Sequence, residues 1–210
     1  MKVLVKFFAA VAILASFALP ALAHETGDWI VRAGVGTVDP QGTAYTDPDE
    51  PDFAIKVDAG TSLTLTGAYM FSPNLAFEVL AAWPFNHDIT VLGIKIAETD
   101  HLPPTFSLQY HFSPDTTFQP YAGVGLNYTM FSGTKLVGNP AGVSLDLDDS
   151  FGFAAQLGAD MMLSDKWMVN FDFRWIGIES DATISDGTSI ETFKVTIDPI
   201  VYSINLGYKF

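Results

Sequence analysis

Eight stretches of the chain alternate apolar and polar residues, and this alternation limits the available folds more than any other feature. A period of two places successive side chains on opposite faces of a β-strand. The stretches lie at about 28–38, 61–71, 74–83, 104–112, 119–131, 150–163, 166–178 and 196–210. Each has roughly 9 to 15 residues, whereas strands of soluble proteins average about 5 or 6. The pattern therefore predicts an all-β protein with long, two-faced strands.

The connections between these stretches alternate in length. Short connections fall at Ser72-Pro73-Asn74, Ser113-Pro114-Asp115 and Ser164-Asp165. Long connections fall at 39–60, 84–103, 132–149 and 177–195. Short turns on one side and long loops on the other are typical of an outer-membrane barrel, whose tilted strands need about 9 to 11 residues to cross the bilayer. The sequence thus predicts an eight-stranded antiparallel up-and-down transmembrane β-barrel, with the long loops facing outward.

The polar face of each strand is expected to line the interior of this barrel. Glycines recur on the polar faces, which suits a narrow lumen: Gly34, Gly36, Gly123, Gly125, Gly158 and Gly207. Aromatic residues recur near the strand ends on the apolar faces: Trp29, Phe71, Trp83, Phe112, Tyr128, Trp167, Trp175 and Phe210. Aromatic girdles at both membrane interfaces explain that placement, although aromatic packing in a soluble core is the alternative.

The amino-terminal segment has the pattern of a secretory signal peptide. Lys2 and Lys6 precede an apolar run of about 13 residues from position 7 to 19, and Ala21-Leu22-Ala23 forms a small-residue cleavage site. A retained membrane helix is the alternative, but it needs about 20 apolar residues. We therefore expect a signal peptide at 1–23, a single barrel domain at 24–210, and export to the outer membrane of a Gram-negative type of envelope.

Composition excludes some classes of protein and partner. The chain has no cysteine, which rules out a disulfide framework. The formal charge is −14, and removal of Lys2 and Lys6 with the signal peptide lowers it by two, to −16. Because binding to phosphates needs a basic surface, nucleic acid is not an expected partner.

Several charged residues lie on faces that should point into the lumen. They are Arg32, Glu78, Asp160, Asp172 and Arg174, accompanied by Gln109 and His111. Unpaired charges are costly to bury, so we expect ion pairs among them. A structural plug of ion pairs explains these residues, and proton or ion conduction is the alternative.

Apolar residues near the outer rim could form a water-excluding entrance for an apolar solute. The candidates for this channel lining are Leu80, Pro84, Phe85, Leu102, Pro103, Phe131 and Ile176. Apolar pockets with few polar groups bind such solutes. Packing of the rim loops against one another would explain the same residues.

The sequence offers little support for catalysis or for a metal. No pair among His24, His87, His101 and His111 has the short spacing of a metal site, and no metal or other cofactor is expected. A lipid-modifying enzyme at the rim would use His87, His101, Ser132 and Asp100, but no Gly-x-Ser-x-Gly motif accompanies them. The acidic loop residues could hold divalent cations or form a solvated surface: Asp47, Asp49, Glu50, Asp52, Asp146, Asp148 and Asp149.

A series of short blocks, in order along the chain, resembles the outer membrane protein W family. The blocks are 29–34 (WIVRAG), 84–87 (PFNH), 101–105 (HLPPT), 120–128 (PYAGVGLNY), 149–152 (DSFG), 167–170 (WMVN), 198–199 (DP) and 208–210 (YKF). The resemblance implies an eight-stranded barrel with a narrow, partly apolar channel. It also implies uptake of small hydrophobic molecules, with sideways release into the membrane as one route.

The predicted barrel and the family resemblance together indicate the partners of the protein. They are outer-membrane lipids, small hydrophobic solutes and the barrel-assembly machinery, because the strand that ends at Phe210 resembles an assembly signal. A non-conducting structural or adhesion barrel is the other non-enzymatic function that remains open.

Overall fold

The computed structural model describes residues 24–49, 54–112, 115–138 and 142–210. The predicted signal peptide at 1–23, the loop acids Glu50 and Asp52, and the turn residues Ser113 and Pro114 lie outside the described residues. In the described ranges the regular structure is β throughout, with fifteen strands. No helix in that part of the chain has the length and apolar character needed to cross a membrane.

Eight of the strands form a closed antiparallel barrel. They are β1 (Trp29–Asp39), β4 (Gly60–Ser72), β5 (Leu75–Ala82), β8 (Thr105–His111), β9 (Phe118–Leu136), β11 (Ser150–Met162), β12 (Trp167–Ile176) and β15 (Ile200–Lys209). Each pairs with the barrel strand before it and after it in the chain, and β1 pairs with β15. Closure satisfies the backbone hydrogen bonds that an open edge would leave exposed to lipid. The predicted eight-stranded up-and-down barrel is confirmed.

The barrel has its apolar face outward. Leu63, Val124 and Phe153 point away from the lumen and are 60, 67 and 72% exposed. The inward residues Arg32 and Asp160 are 1 and 0% exposed. A soluble protein could not leave so many large apolar side chains in water, whereas lipid accepts them. The predicted orientation, with the apolar face outward and the polar face inward, is therefore confirmed.

Aromatic side chains ring the outer surface at both ends of the barrel. All eight predicted girdle residues are exposed outside the barrel. Where β12 and β15 pair, Trp167 and Tyr208 have ring centroids 4.9 Å apart, and Tyr208 and Phe210 have centroids 4.7 Å apart. Trp29 packs on Tyr69 with a centroid distance of 5.1 Å. These amphipathic rings suit the headgroup level of the bilayer.

The lumen is narrow enough to require glycine at some positions. Tyr121 is almost fully buried in the bore and lies against Gly158 of β11. A Cβ atom at Gly158 would overlap the Tyr121 ring and the backbone oxygen of Phe171. The ring of Tyr121 therefore fills the bore at this level, and Gly158 opposite leaves the space that the ring needs.

The four connections predicted as long loops all contain strands, and those at 84–103 and 177–195 are largely strands, which corrects the sequence-based prediction. The additional strands are β2 (Tyr45–Thr46), β3 (Ala54–Val57), β6 (Phe85–Val91), β7 (Ile94–Leu102), β10 (Ser144–Leu147), β13 (Glu179–Ser185) and β14 (Ile190–Thr196). Leu92 and Gly93 join β6 to β7 with φ angles of 51° and 76°, as a tight hairpin turn requires. These strands alternate too, but most are shorter than the length needed to cross a bilayer.

These strands extend the barrel beyond the membrane, and we call them the extension. β9 contributes to both parts: it pairs with β8 up to Asn127 and with β7 from Met130 to Leu136. Strands β10, β13 and β14 form a separate three-stranded sheet. The rings of Tyr45 and Phe193, 4.6 Å apart, join the two sides of the extension. The extension thereby encloses space above the barrel.

Candidate functional site

Five charged side chains meet inside the membrane-level lumen, and we call them the lumen cluster. Arg32 donates from Nε to Asp160 Oδ1 at 2.9 Å, and its Nη1 lies 3.4 Å from Glu78 Oε2. Arg174 Nη2 lies 2.8 Å from Glu78 Oε1, and its Nε lies 3.4 Å from Asp172 Oδ1. The structure thus brings together all five residues proposed from the sequence, from four different strands.

Neutral polar groups complete the lumen cluster. Gln156 Nε2 donates to Asp172 at 2.7 Å and to Glu78 at 3.1 Å, and Tyr121 donates its hydroxyl proton to Asp172 at 2.8 Å. A void beside these groups, lined in part by Leu80, measures about 10 Å³. This is the size of a single water molecule, so the void cannot hold an organic solute. The lumen at this height is occupied by the protein's own side chains.

The extension encloses a much larger cavity, of about 310 Å³, which we call the outer cavity. Its wall is mainly apolar and comes from strands on both sides of the extension: Tyr45, Ile55, Ile89, Leu136, Ala182 and Phe193 are among the lining residues. The polar groups in the wall include His87, Thr99 and His101. A volume of this size and composition fits small-molecule pockets, which begin near 300 Å³.

The structure brings together three of the seven residues proposed as channel lining and separates the others. Phe85, Phe131 and Ile176 pack in one apolar cluster with Ile178 and Ile197, which form the floor of the outer cavity. Of the seven, Phe131 alone lines that cavity. Leu80 lies in the lumen below, Pro103 is buried, Leu102 is half-buried and Pro84 is exposed. The outer cavity therefore lies farther towards the outer end of the barrel than most of the residues proposed from the sequence.

Most residues of the outer cavity were not proposed from the sequence, because they lie in segments that were interpreted as loops. A signal was nevertheless present in the sequence. Phe85, His87 and Ile89 alternate with polar residues, and Ile178, Ser180 and Ala182 do the same. Since strands outside the bilayer need not be as long as spanning strands, five alternating residues would have sufficed to find them.

Two histidines stack against each other in the wall of the outer cavity. The ring centroids of His87 and His101 are 4.7 Å apart, and Phe85 stacks on His101 at 5.5 Å. His87 Nδ1 lies 2.7 Å from the backbone oxygen of Asp58 and therefore carries the proton. Burial lowers the pKa of His87, and burial together with the neighbouring His87 lowers the pKa of His101 to about 3. Both rings are neutral at neutral pH, so they add no charge to a wall that also includes the acidic residues Asp47 and Glu191.

The stability of the extension should fall as the pH is lowered from about 6.5 towards 3. The pKa of His101 is about 3 in the folded chain, against a usual value of 6.5, so between these values the unfolded state binds the additional proton. We expect His101→Phe to reduce the loss of stability between pH 7 and pH 4.5, as measured by urea denaturation. Nuclear magnetic resonance should show the His101 ring unprotonated at pH 5. A titration midpoint near 6.5 would contradict this prediction.

The residues considered for a rim enzyme lie on two different faces. Asn86 opposes Asp100 in the β6–β7 ladder, and Phe85 opposes His101. Asp100 in turn opposes Ser132 in the β7–β9 ladder. Because neighbouring residues of a strand point to opposite faces, Asp100 and Ser132 face away from the two histidines. Among these described residues, no serine–histidine pair forms.

Comparison with known proteins agrees with the barrel fold. Residues 25–210 match the model of the OmpW family. The chain is 44% identical to outer membrane protein W of Vibrio cholerae serotype O1, over 91% of this chain and 92% of that protein. It is 38% identical to outer membrane protein W of Escherichia coli K12, over 96% and 97% of the two chains. The crystal structure of OprG from Pseudomonas aeruginosa superposes with a TM-score of 0.80 at 38% identity, covering 90% of this chain and 98% of OprG.

Proposed function

The chain belongs to the OmpW family of outer-membrane barrels, and from that premise we propose that it admits small hydrophobic molecules through the outer membrane. The resemblance to this family and the outer-membrane location predicted from the sequence are both confirmed. The observation that carries the proposal is the outer cavity, an apolar space of about 310 Å³ above a polar, filled lumen. The cavity takes up the solute from outside.

The driving force for binding is the removal of apolar surface from water. A solute of two fused aromatic rings that buries about 200 Å², as a large aromatic side chain does, gains about 5 kcal/mol. The neutral His87 and His101 add hydrogen-bonding capacity without charge. A charged or strongly hydrated solute would instead lose its hydration in this cavity. The site thereby selects small hydrophobic molecules over polar nutrients.

The filled lumen supports release sideways into the membrane. Pairing between β5 and β8 ends at Leu80 and Thr105. Directly beyond Thr105 stand Pro103 and Pro104, which have no N–H group to continue the ladder. This part of the wall lies below the cavity floor and is held by fewer backbone hydrogen bonds. A solute leaves there between β5 and β8 and enters the lipid.

Uptake by cells tests the proposal. The assay compares cells that lack the protein with cells that produce it, and follows naphthalene as the apolar solute and glucose as the polar one. We expect the protein to accelerate naphthalene uptake and to leave glucose uptake unchanged. Equal acceleration of both solutes would indicate a general pore. Acceleration of neither would favour a structural or adhesion barrel, and altered lipids in the producing cells would favour an enzyme.

A further inference from the structure

A second group of side chains lies at the periplasmic end of the lumen, away from the outer cavity. His24 precedes β1, His111 is the last residue of β8, and Asp160 is near the end of β11. All three side chains are fully buried. The rings of His24 and His111 meet edge to face, with centroids 4.9 Å apart. The fold therefore brings together three potential metal ligands that are far apart in the sequence.

The two imidazoles have nitrogen atoms without hydrogen-bond partners. Among the described residues, no hydrogen-bond partner contacts either ring nitrogen of His24 or the Nδ1 of His111. His111 Nε2 lies 3.3 Å from the side-chain oxygen of Gln109 and so carries the ring proton, which leaves a lone pair on Nδ1. Buried polar atoms without partners are costly and uncommon in folded proteins. Binding a cation would satisfy one such nitrogen in each ring.

Asp160 supplies the third donor. Each histidine and Asp160 offers one ligand atom, and the three atoms lie within 4.8 Å of one another. His24 Nε2 is 3.9 Å from Asp160 Oδ2. Arg32 and Asn170 both donate to Asp160 Oδ1, whereas Oδ2 accepts from Arg32 and has a further lone pair for a second partner. A metal at about 2.0 to 2.2 Å from each donor requires a small inward shift. His24 can make this shift because it lies outside the barrel strands.

The surrounding charge favours a cation. In the lumen cluster, two guanidinium groups face three carboxylates, so negative charge exceeds positive charge by one when all five are ionised. Arg32 repels a cation at close range, whereas Glu78 and Asp172 offset that repulsion from slightly farther away. Lys209 nearby is paired with Asp28 at 3.5 Å. A bound dication would offset the excess negative charge.

We propose that His24, His111 and Asp160 bind one divalent transition metal ion, of the class of Zn²⁺ or Cu²⁺, at the periplasmic end of the lumen. Two imidazoles and one carboxylate suit these ions, whereas Ca²⁺ and Mg²⁺ prefer oxygen ligands alone. Cleavage after Ala23 would add the α-amine of His24 as a further nitrogen donor. The proposed site differs from the expectation drawn from histidine spacing in the sequence, because His24 and His111 are adjacent only in the barrel.

Metal binding by the mature protein tests the proposal. The protein is prepared without a polyhistidine tag, folded in detergent, stripped with a chelator and titrated with Zn²⁺ by calorimetry. We expect one Zn²⁺ per chain, and an affinity at least about tenfold lower in His111→Ala and in His24→Ala. Cu²⁺ bound to the wild-type protein should show nitrogen hyperfine structure in its electron paramagnetic resonance spectrum, and His111→Ala should lose part of it.

The matched control is His101→Ala, which removes a buried histidine from the outer cavity and should leave Zn²⁺ affinity unchanged. Circular dichroism establishes that each variant has folded. If His111→Ala is unfolded, His111→Gln takes its place, because glutamine fills similar space and is a poor ligand for Zn²⁺. The proposal is overturned if the wild-type protein binds no Zn²⁺ at micromolar concentration, or if variants at 24 and 111 bind it as tightly as wild type does.

Discussion

Arg32→Leu is expected to destabilise the barrel by about 3 to 5 kcal/mol, the cost of leaving a buried ion pair without one partner. Arg32 binds Asp160 through two nitrogens and also faces Glu78, and all three side chains are almost completely excluded from solvent. Leucine would remove the cation and leave two carboxylates in the lumen with less compensation. The free energy of unfolding, measured by urea denaturation of the protein in phospholipid vesicles, should fall accordingly.

The matched control removes an exposed cation. Lys194 Nζ lies 3.5 Å from Glu179 in the extension, and both side chains are more than half exposed. Exposed pairs contribute about 0 to 1 kcal/mol, so Lys194→Leu should have little effect. If Arg32→Leu were no more destabilising than Lys194→Leu, the lumen cluster would be well hydrated. The charges would then not form the dry plug that the structure implies.

Ala182→Trp is expected to reduce uptake of a small apolar solute by at least about tenfold. Ala182 is buried in the wall of the outer cavity, in the same apolar cluster as Tyr45 and Val195. An indole ring at this position would occupy much of the 310 Å³ and displace the solute. Loss of as little as about 1.4 kcal/mol of binding free energy corresponds to tenfold weaker binding. The initial rate of naphthalene uptake by producing cells measures the effect.

Ala155→Trp is the control for this substitution. Ala155 lies in β11 and faces outward, where a large ring would contact lipid rather than the cavity. The amounts of the two folded variants in the outer membrane should be equal, and uptake by Ala155→Trp should match that of wild type. Unchanged uptake by Ala182→Trp would show that solutes pass the protein by another route.

The alternation in the sequence predicted the barrel strands, and the glycines on the polar faces together with the aromatic residues near the strand ends predicted the direction of those faces. Arg32 was predicted to point inward and Trp29 outward, and the structure has both. The reason is that a strand that crosses lipid must satisfy its backbone through neighbours and must separate apolar from polar side chains at every second residue. This requirement is local, so it is visible in a single stretch of sequence. The five residues of the lumen cluster were identifiable for the same reason.

The outer cavity and the histidine–aspartate group were decided by tertiary structure alone. Phe193 and Tyr45 meet in the cavity wall, and His24 meets His111 in the lumen, across more than 80 residues in each case. The alternation determines which face a side chain occupies, but not which distant side chain stands opposite, because that depends on strand register and barrel closure. The sequence by itself therefore determined an inside-out barrel with a charged interior. The folding of the extension over its mouth decided where an apolar molecule can bind.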